Sequence, residues 1–369
     1  MWIRNCWQVI AFGNEIGSTP LARTVCDEPV VLFRTQSGAA VALADRCPHR
    51  YAPLSLGRVV GDQIQCGYHG LCFDQDGTCV RVPGQDTVPQ AQVRKYPLVE
   101  KHGFAWIWLG DPTRADAAVV PDFHWMDDPA WAVAEGYHHF AANYQLVNDN
   151  LLDLSHESFV HEETIGNEAV AEAPVSVRLE GQGLGNQVLR VHRDMFDIEA
   201  PPFYKRTTGF KGNIDRWHTT NFTAPGFHVI ENGSMPAGAK DRSQALERKV
   251  LNLITPETRT TSHYFWGVVR QFRLDDAELT EYIRDGIRRT FDQDKAVLEA
   301  QRRALGDDPD SAVFPISIRV DAGPTQGRRL VQAMLAREPN PSPQPSPARG
   351  EGAHRARGPL VSSIARSME

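Results

Sequence analysis

The chain is 369 residues long, 41% hydrophobic and 23% charged, with a formal net charge of −7. That balance suits a globular protein with room for two domains, and a net negative chain has no general basis for binding nucleic acid. No apolar run approaches the roughly 20 residues that span a bilayer, and Met1-Trp2-Ile3-Arg4-Asn5 lacks a signal peptide's basic and apolar regions. A cytoplasmic protein with no nucleic-acid or membrane partner is expected.

Residues 1 to about 110 read as mainly β. Short apolar runs, Val30-Val31-Leu32-Phe33 and Ala40-Val41-Ala42-Leu43, are separated by turn signals such as Asp74-Gln75-Asp76-Gly77. Between them lies Cys47-Pro48-His49, then sixteen residues, then Cys66-Gly67-Tyr68-His69. Two thiols and two imidazoles, paired Cys with His on two short loops, suit a [2Fe–2S] cluster in which one iron keeps two cysteines and the other takes two histidines. The same four ligands also satisfy tetrahedral zinc, but a zinc finger usually pairs Cys with Cys and His with His, so the alternation favours iron–sulfur. The array resembles a Rieske cluster. Respiratory Rieske proteins add a disulfide-forming cysteine to each ligand loop, where this chain has Ala52 and Tyr68. Cys6, Cys26, Cys72 and Cys79 remain, and no disulfide is expected among them. A further strand is expected at Phe104-Ala105-Trp106-Ile107-Trp108-Leu109. Gly110-Asp111-Pro112 then marks a domain boundary.

From about 130 to 275, strand-like stretches surround one helical segment, Asn148-Asp149-Asn150-Leu151-Leu152-Asp153-Leu154-Ser155-His156-Glu157-Ser158-Phe159-Val160-His161. Asp153 and His156, three apart, fall on one helical face. His161 lies about 140° from His156 on an ideal helix, so both imidazoles reach one metal only if the helix ends, tightens or bulges between them. A zincin would show H-E-x-x-H, and the run here is one residue longer. A long helix is expected over roughly 276 to 305, with Ile283, Ile287, Phe291 and Leu298 as its buried stripe. Asp294 sits within that stripe, whereas Asp292 points away. A carboxylate aimed into a core is costly unless it is paired or bound to metal. With His156 and His161, Asp294 completes a 2-His-1-carboxylate triad, the ligand set of non-haem Fe(II) oxygenases. The Pro/Ser/Gly/Arg-rich tail, 339–369, is expected to be disordered.

A C-x-H…C-x-x-H array, then N-x-x-D-x-x-H-x-x-x-x-H, then F-x-x-D-K resembles the oxygenase component of the Rieske non-haem iron oxygenases. Within that family the chain is most similar to the vanillate O-demethylase type, through segments such as Leu253-Ile254-Thr255-Pro256-Glu257-Thr258 and Asp321-Ala322-Gly323-Pro324. The resemblance covers residues 1–338. It implies an α+β fold: a Rieske domain (1–110), then a helix-grip catalytic domain (111–338) whose antiparallel sheet wraps a long C-terminal helix. Cys47, His49, Cys66 and His69 would hold the cluster; His156, His161 and Asp294 would hold mononuclear iron. Asp153 would bridge a cluster histidine of one subunit to an iron-ligating histidine of its neighbour in a homotrimer, and Asn150 would lie near the iron.

The implied reaction takes electrons from NAD(P)H through a separate flavin/iron–sulfur reductase, uses O₂ as co-substrate, and O-demethylates a methoxylated aromatic acid with release of formaldehyde. No G-x-G-x-x-G loop suggests that this chain binds a dinucleotide itself. By the same resemblance the substrate pocket is expected along Trp217–Ala237 and near Asn252, with Trp217, His218, His228, Glu231 and Asn252 as candidates. The family often has histidine where this chain has Asn252. The alternatives are oxidation of another aromatic or carboxylate substrate, a Rieske electron carrier with no catalysis of its own, and a zinc-binding structural module.

Overall fold

The computed structural model describes residues 2–182, 187–306 and 316–339. The tail at 340–369, expected to be disordered, lies outside the described residues. The N-terminal region contains ten short strands: β1 (Trp7–Phe12), β2 (Leu21–Val25), β3 (Glu28–Arg34), β4 (Ala40–Ala44), β5 (Arg58–Val60), β6 (Gln63–Gln65), β7 (Cys72–Phe73), β8 (Cys79–Arg81), β9 (Leu98–Lys101) and β10 (Phe104–Trp108). They form three antiparallel sheets, ordered β1-β10-β9, β2-β3-β4 and β5-β6-β7-β8. The apolar runs of the sequence become strands buried on both faces, most completely in β10, where all five residues are buried. The expected turn at Asp74–Gly77 closes through Gly77 N–H to the Asp74 carbonyl at 3.0 Å. Gly77 is required there, since its φ is +80° and a Cβ would lie 2.1 Å from the Val93 carbonyl oxygen.

The C-terminal region is built on a seven-stranded antiparallel sheet, ordered β11-β17-β16-β15-β14-β13-β12. Its strands are β11 (Ala132–Phe140), β12 (Ser176–Glu180), β13 (Val188–Ile198), β14 (Ile214–Thr223), β15 (Phe227–Pro236), β16 (Leu246–Thr258) and β17 (Thr261–Arg270). Where one helical segment was expected before residue 275, there are four helices: α1 (Tyr144–Leu152), α2 (Glu157–Val160), α3 (Glu168–Glu172) and α4 (Pro202–Thr208). Proline at the first position of α4 and Gly209 at φ +72° after it delimit a helix too short for periodicity to reveal. The long helix α5 (Ala277–Leu305) begins one residue after the expected start, with Asp276 capping the Leu279 N–H, and α6 (Ala322–Leu335) follows. No described helix is long and apolar enough to cross a membrane.

Helix α5 lies against one face of the large sheet, where Phe291 packs on Tyr264 and Trp266 at ring-centroid distances of 4.9 and 5.8 Å. Alternate residues of the same strands serve the other face. There Leu251, Leu253 and Phe265 share an apolar core with Val9, Phe104 and Trp106 of β1 and β10. Each such side chain contributes about 1.5–3 kcal/mol by leaving water. Polar contacts across this joint include Thr255 Oγ1 to the Val9 carbonyl at 2.7 Å and the Cys26 N–H to the Pro256 carbonyl at 2.9 Å. The regions on either side of residue 110 therefore share a core. No disulfide links any of the six cysteines.

Candidate active site and electron-transfer centre

The two Cys/His loops are built alike. In one, the Cys47 N–H bonds the Ala52 carbonyl at 2.9 Å and the Tyr51 N–H bonds the Cys47 carbonyl at 2.8 Å. In the other, the Cys66 N–H bonds the Leu71 carbonyl at 2.8 Å and the Gly70 N–H bonds the Cys66 carbonyl at 3.0 Å. Both loops turn at a positive φ, +61° at Tyr51 and +74° at Gly70. Gly67 permits a close crossing, because a Cβ there would lie 2.6 Å from the Leu56 carbonyl oxygen. Cys47 and Cys66 are buried against Phe33, Leu54, Ile64 and Phe73. His49 and His69 are exposed, their rings 4.6 Å apart edge to face.

Burial, opposed by the His49 backbone N–H and reinforced by Cys66, pushes the Cys47 thiol up to about 11. Two buried thiols and two exposed imidazoles, paired on matching loops, fit a two-iron cluster with chemically distinct irons.

The second centre forms where the chain breaks helix. Helix α1 ends at Leu152, His156 precedes the single turn of α2, and His161 follows it. The interruption demanded by the five-residue spacing is therefore present, and the two imidazoles face each other at 5.1 Å. Asp294, buried on the sheet-facing side of α5, meets both: its Oδ1 lies 3.4 Å from His156 Nε2 and 3.1 Å from His161 Nε2. Burial would raise the Asp294 carboxyl, but the two imidazoles override it and hold the group well below the usual carboxylate range.

The opposite ring nitrogens are fixed as well. His161 Nδ1 lies 2.9 Å from Gln293 Oε1, and His156 Nδ1 bonds the Asp153 carbonyl oxygen. With acceptors on Nδ1, both rings carry a proton there and direct Nε2 at Asp294. Burial would lower the His156 pKa, but Asp294 prevails and raises it to about 9. Loss of the Nε2 proton frees the lone pair that a metal-ligating histidine uses. Asn150 Nδ2 donates to Asp294 Oδ1 at 3.1 Å, so the Asn150 singled out by sequence reaches this centre through the carboxylate. Asp153 caps the end of α1; its backbone carbonyl meets His156 within the chain, and its carboxylate Oδ1 accepts from Ser155 N and Oγ at 2.8 and 2.6 Å.

The cavity at this centre is walled by apolar side chains that include Leu154, Ile230, Val250, Ile287 and Phe291. Beside it lies a charged cluster that sequence reasoning missed. Glu157 Oε2 accepts from Arg193 at 2.6 Å and from Arg216 at 3.2 Å, while its Oε1 lies 2.8 Å from His218 Nδ1. Burial favours the neutral acid, but Arg193, His218 and Arg216 prevail and hold Glu157 well below its ordinary value. Its adjacency to His156 and the polar residues at alternate positions 216 and 218 of β14 were the available signals.

Among the pocket candidates, His218 lines this cavity. Trp217 and Glu231 face a larger open groove on the other side of the sheet, where Trp217 lies 3.9 Å under Arg242 and Glu231 pairs with Lys249 at 2.7 Å. His228 and Asn252, paired in register between β15 and β16, are held by Asn148 at 3.0 Å and by the Tyr264 hydroxyl at 2.9 Å, away from the cavity lining. Among the described residues, the group of side chains placed to hold one metal ion, His156, His161 and Asp294, lines the smaller cavity.

Comparison with known proteins agrees with this geometry. The Rieske [2Fe-2S] domain family matches residues 6–97, and the vanillate O-demethylase oxygenase C-terminal domain family matches residues 140–337. The chain is 40% identical over 344 residues to the putative toluene-4-sulfonate monooxygenase system iron-sulfur subunit TsaM2 of Comamonas testosteroni, covering 92% of this chain and 98% of that one. It is 39% identical over 349 residues to a vanillate O-demethylase oxygenase subunit of Pseudomonas sp. strain HR199, covering 92% and 96%. The crystal structure of dicamba monooxygenase bound to 3,6-dichlorosalicylic acid superposes with a TM-score of 0.84 at 31% identity, covering 91% of this chain and 98% of that one. The chain belongs to the Rieske non-haem iron oxygenases, as a terminal oxygenase component of the vanillate O-demethylase type.

Proposed function

We propose that this oxygenase component removes the methyl group from a methoxylated aromatic acid. The overall balance is aryl methyl ether plus O₂, NAD(P)H and a proton, giving phenol, formaldehyde, water and NAD(P)⁺. The observation that carries this reading is the convergence of two oriented Nε2 atoms and one carboxylate oxygen at an apolar cavity. In it, residues 1–110 form the cluster domain and 111–338 the catalytic domain. Cys47, His49, Cys66 and His69 hold the [2Fe–2S] cluster, and His156, His161 and Asp294 hold Fe(II).

When bound, those groups supply electron relay and O₂ activation respectively. The protein's own contribution is positional. Gln293 and the Asp153 carbonyl set the histidine tautomers, Asn150 orients Asp294, and the apolar wall excludes water from the ring to be oxidised. Electrons are delivered by a separate flavin/iron–sulfur reductase that uses NAD(P)H; the relatives are named as components of multi-part systems. The exposed rings of His49 and His69 are what transfer into a neighbouring subunit requires, and with Asp153 at the receiving side this supports a homotrimer.

A second reading, hydroxylation of a methyl group on an aromatic sulfonate, draws on the relatives named for toluene-4-sulfonate. Purified chain with a surrogate reductase, NADH and a panel of methoxybenzoates and toluenesulfonates separates the two. Formaldehyde release supports demethylation. Hydroxymethyl product without formaldehyde refutes it.

A further inference from the structure

One cross-strand row on the inner face of the large sheet is polar across five neighbouring strands, β13 to β17. Register pairs join Arg193 to His218, His218 to Asn232, Asn232 to Arg248, and Arg248 to Arg270. All five side chains are buried. The neighbouring row, Val191–Thr220–Ile230–Val250–Val268, is apolar apart from one threonine.

Buried guanidiniums are expensive unless paired or fully hydrogen-bonded, and two of these three are provided for. Arg193 has the Glu157 carboxylate and the Val170 carbonyl. Arg270 donates to the Arg273 and Asp276 carbonyls and to Thr280 Oγ1. Arg248 is different in its partners: it is 6% exposed and no carboxylate pairs with it among the described residues, while its Nε, like those of Arg193 and Arg270, has no hydrogen-bond partner. Its guanidinium carbon lies over the rings of Tyr204 and Phe203 at 4.5 and 4.7 Å.

The surrounding charge is also one-sided. Arg193, Arg216 and Arg248 share a single nearby carboxylate, Glu157, while Asp294 is engaged by His156 and His161. Arg248 and its register partner Asn232 line the metal-site cavity, and both also contribute to the lining of the larger groove. Asn232 Oδ1 is likewise buried without a partner.

We propose that Arg248 anchors the acid group of the substrate: its planar fork receives the carboxylate or sulfonate oxygens of an aromatic acid, and the ring lies along Ile230 and Val250. The anchor deepens the demethylation reading and rests on it for the class of substrate. A guanidinium matches a two-oxygen anion with parallel hydrogen bonds, and burial amplifies that preference over any neutral group. The bound anion also supplies the charge that this row lacks.

Calorimetric titration of the purified full-length protein tests the anchor with 3-methoxybenzoate, 3-methoxybenzenesulfonate and the neutral 3-methoxybenzamide. Wild type is expected to bind at least one acid in preference to the amide, and the tighter acid identifies the anion. In Arg248→Met the acid-to-amide affinity ratio should fall about 30- to 100-fold, with part of it regained in Arg248→Lys. Asn232→Asp, which sets a carboxylate beside an intact Arg248, should lower the same ratio and decides the matter if Arg248→Met does not fold. No acid preference in wild type, or an unchanged ratio in the variants, overturns the anchor. Formaldehyde is scored separately: Arg248-dependent acid binding with no formaldehyde from the reductase-coupled wild type overturns demethylation and leaves the anchor standing.

Discussion

Replacing Glu157 with Gln removes the one negative charge from a site that keeps two buried guanidiniums at 2.6 and 3.2 Å and His218 at 2.8 Å. Breaking a buried pair by removing one partner costs about 3–5 kcal/mol, most of it the penalty for the charges left behind. The lower end applies here, because Arg216 keeps the Ile165 carbonyl at 2.8 Å and Arg193 keeps the Val170 carbonyl at 3.2 Å. At roughly 2 °C of midpoint per kcal/mol for a chain of this size, a loss of about 3 kcal/mol lowers the thermal midpoint by about 6 °C. The assay is thermal unfolding at fixed scan rate and fixed metal load. The double variant Glu157→Gln/Arg193→Met should recover part of the loss, since it also removes one of the stranded charges. A midpoint within about 1 °C of wild type would refute the argument, because the guanidiniums would then have found water or carbonyls unaided.

Asp294→Ala should abolish mononuclear iron and product while leaving the Rieske absorption bands intact, as read by metal analysis, spectra and formaldehyde assay; turnover surviving in the variant would remove Asp294 from the triad. Gly67→Ala should reduce iron and acid-labile sulfide per chain, because its Cβ would sit 2.6 Å from the Leu56 carbonyl oxygen and push the second ligand loop aside. His228 gives a pH test. Burial depresses it to about 3, so the fold holds it neutral and its contribution, complete above pH 6.5, is lost as pH falls towards 3. By pH 5 that amounts to about 2 kcal/mol at 1.36 kcal/mol per unit. His228→Gln should therefore lose less stability than wild type between pH 7 and pH 5 in urea titrations, and equal losses would contradict the assignment.

The triad was legible in the sequence for reasons that can be named. A period of 3.6 fixes which side of α5 faces the core, so a carboxylate inside the Ile283–Leu298 stripe stands out. The five-residue gap between His156 and His161 required a break in the helix, and the chain provides one. The pocket was harder to read. Strand alternation has a period of two but no marked phase, and a shift of one residue exchanges the faces. Trp217 and Glu231 therefore went to the groove, while His218 and Ile230 went to the cavity and Asn232 contributes to both. Asp153 was legible as a residue but not as an atom, because its spacing from His156 does not say that the carbonyl makes the contact. Glu157, Arg193 and Arg216 were hidden because each alone resembles an ordinary surface charge, and only the fold brings them together.

The apolar joint between β1, β10 and the back of the large sheet bears on how electrons travel. The cluster loops belong to a region fixed to the sheet by Val9, Phe104, Trp106, Leu253 and Phe265, with Thr255 and Cys26 bonding across the seam. A carrier on a flexible tether can commute between donor and acceptor, with the swing itself setting the tempo. This joint has no slack for such a commute. Under the proposed electron path, donor and acceptor distances are set by how this chain docks with its partners, and a chimera that borrows a relative's cluster region would have to import the matching back face of the sheet with it.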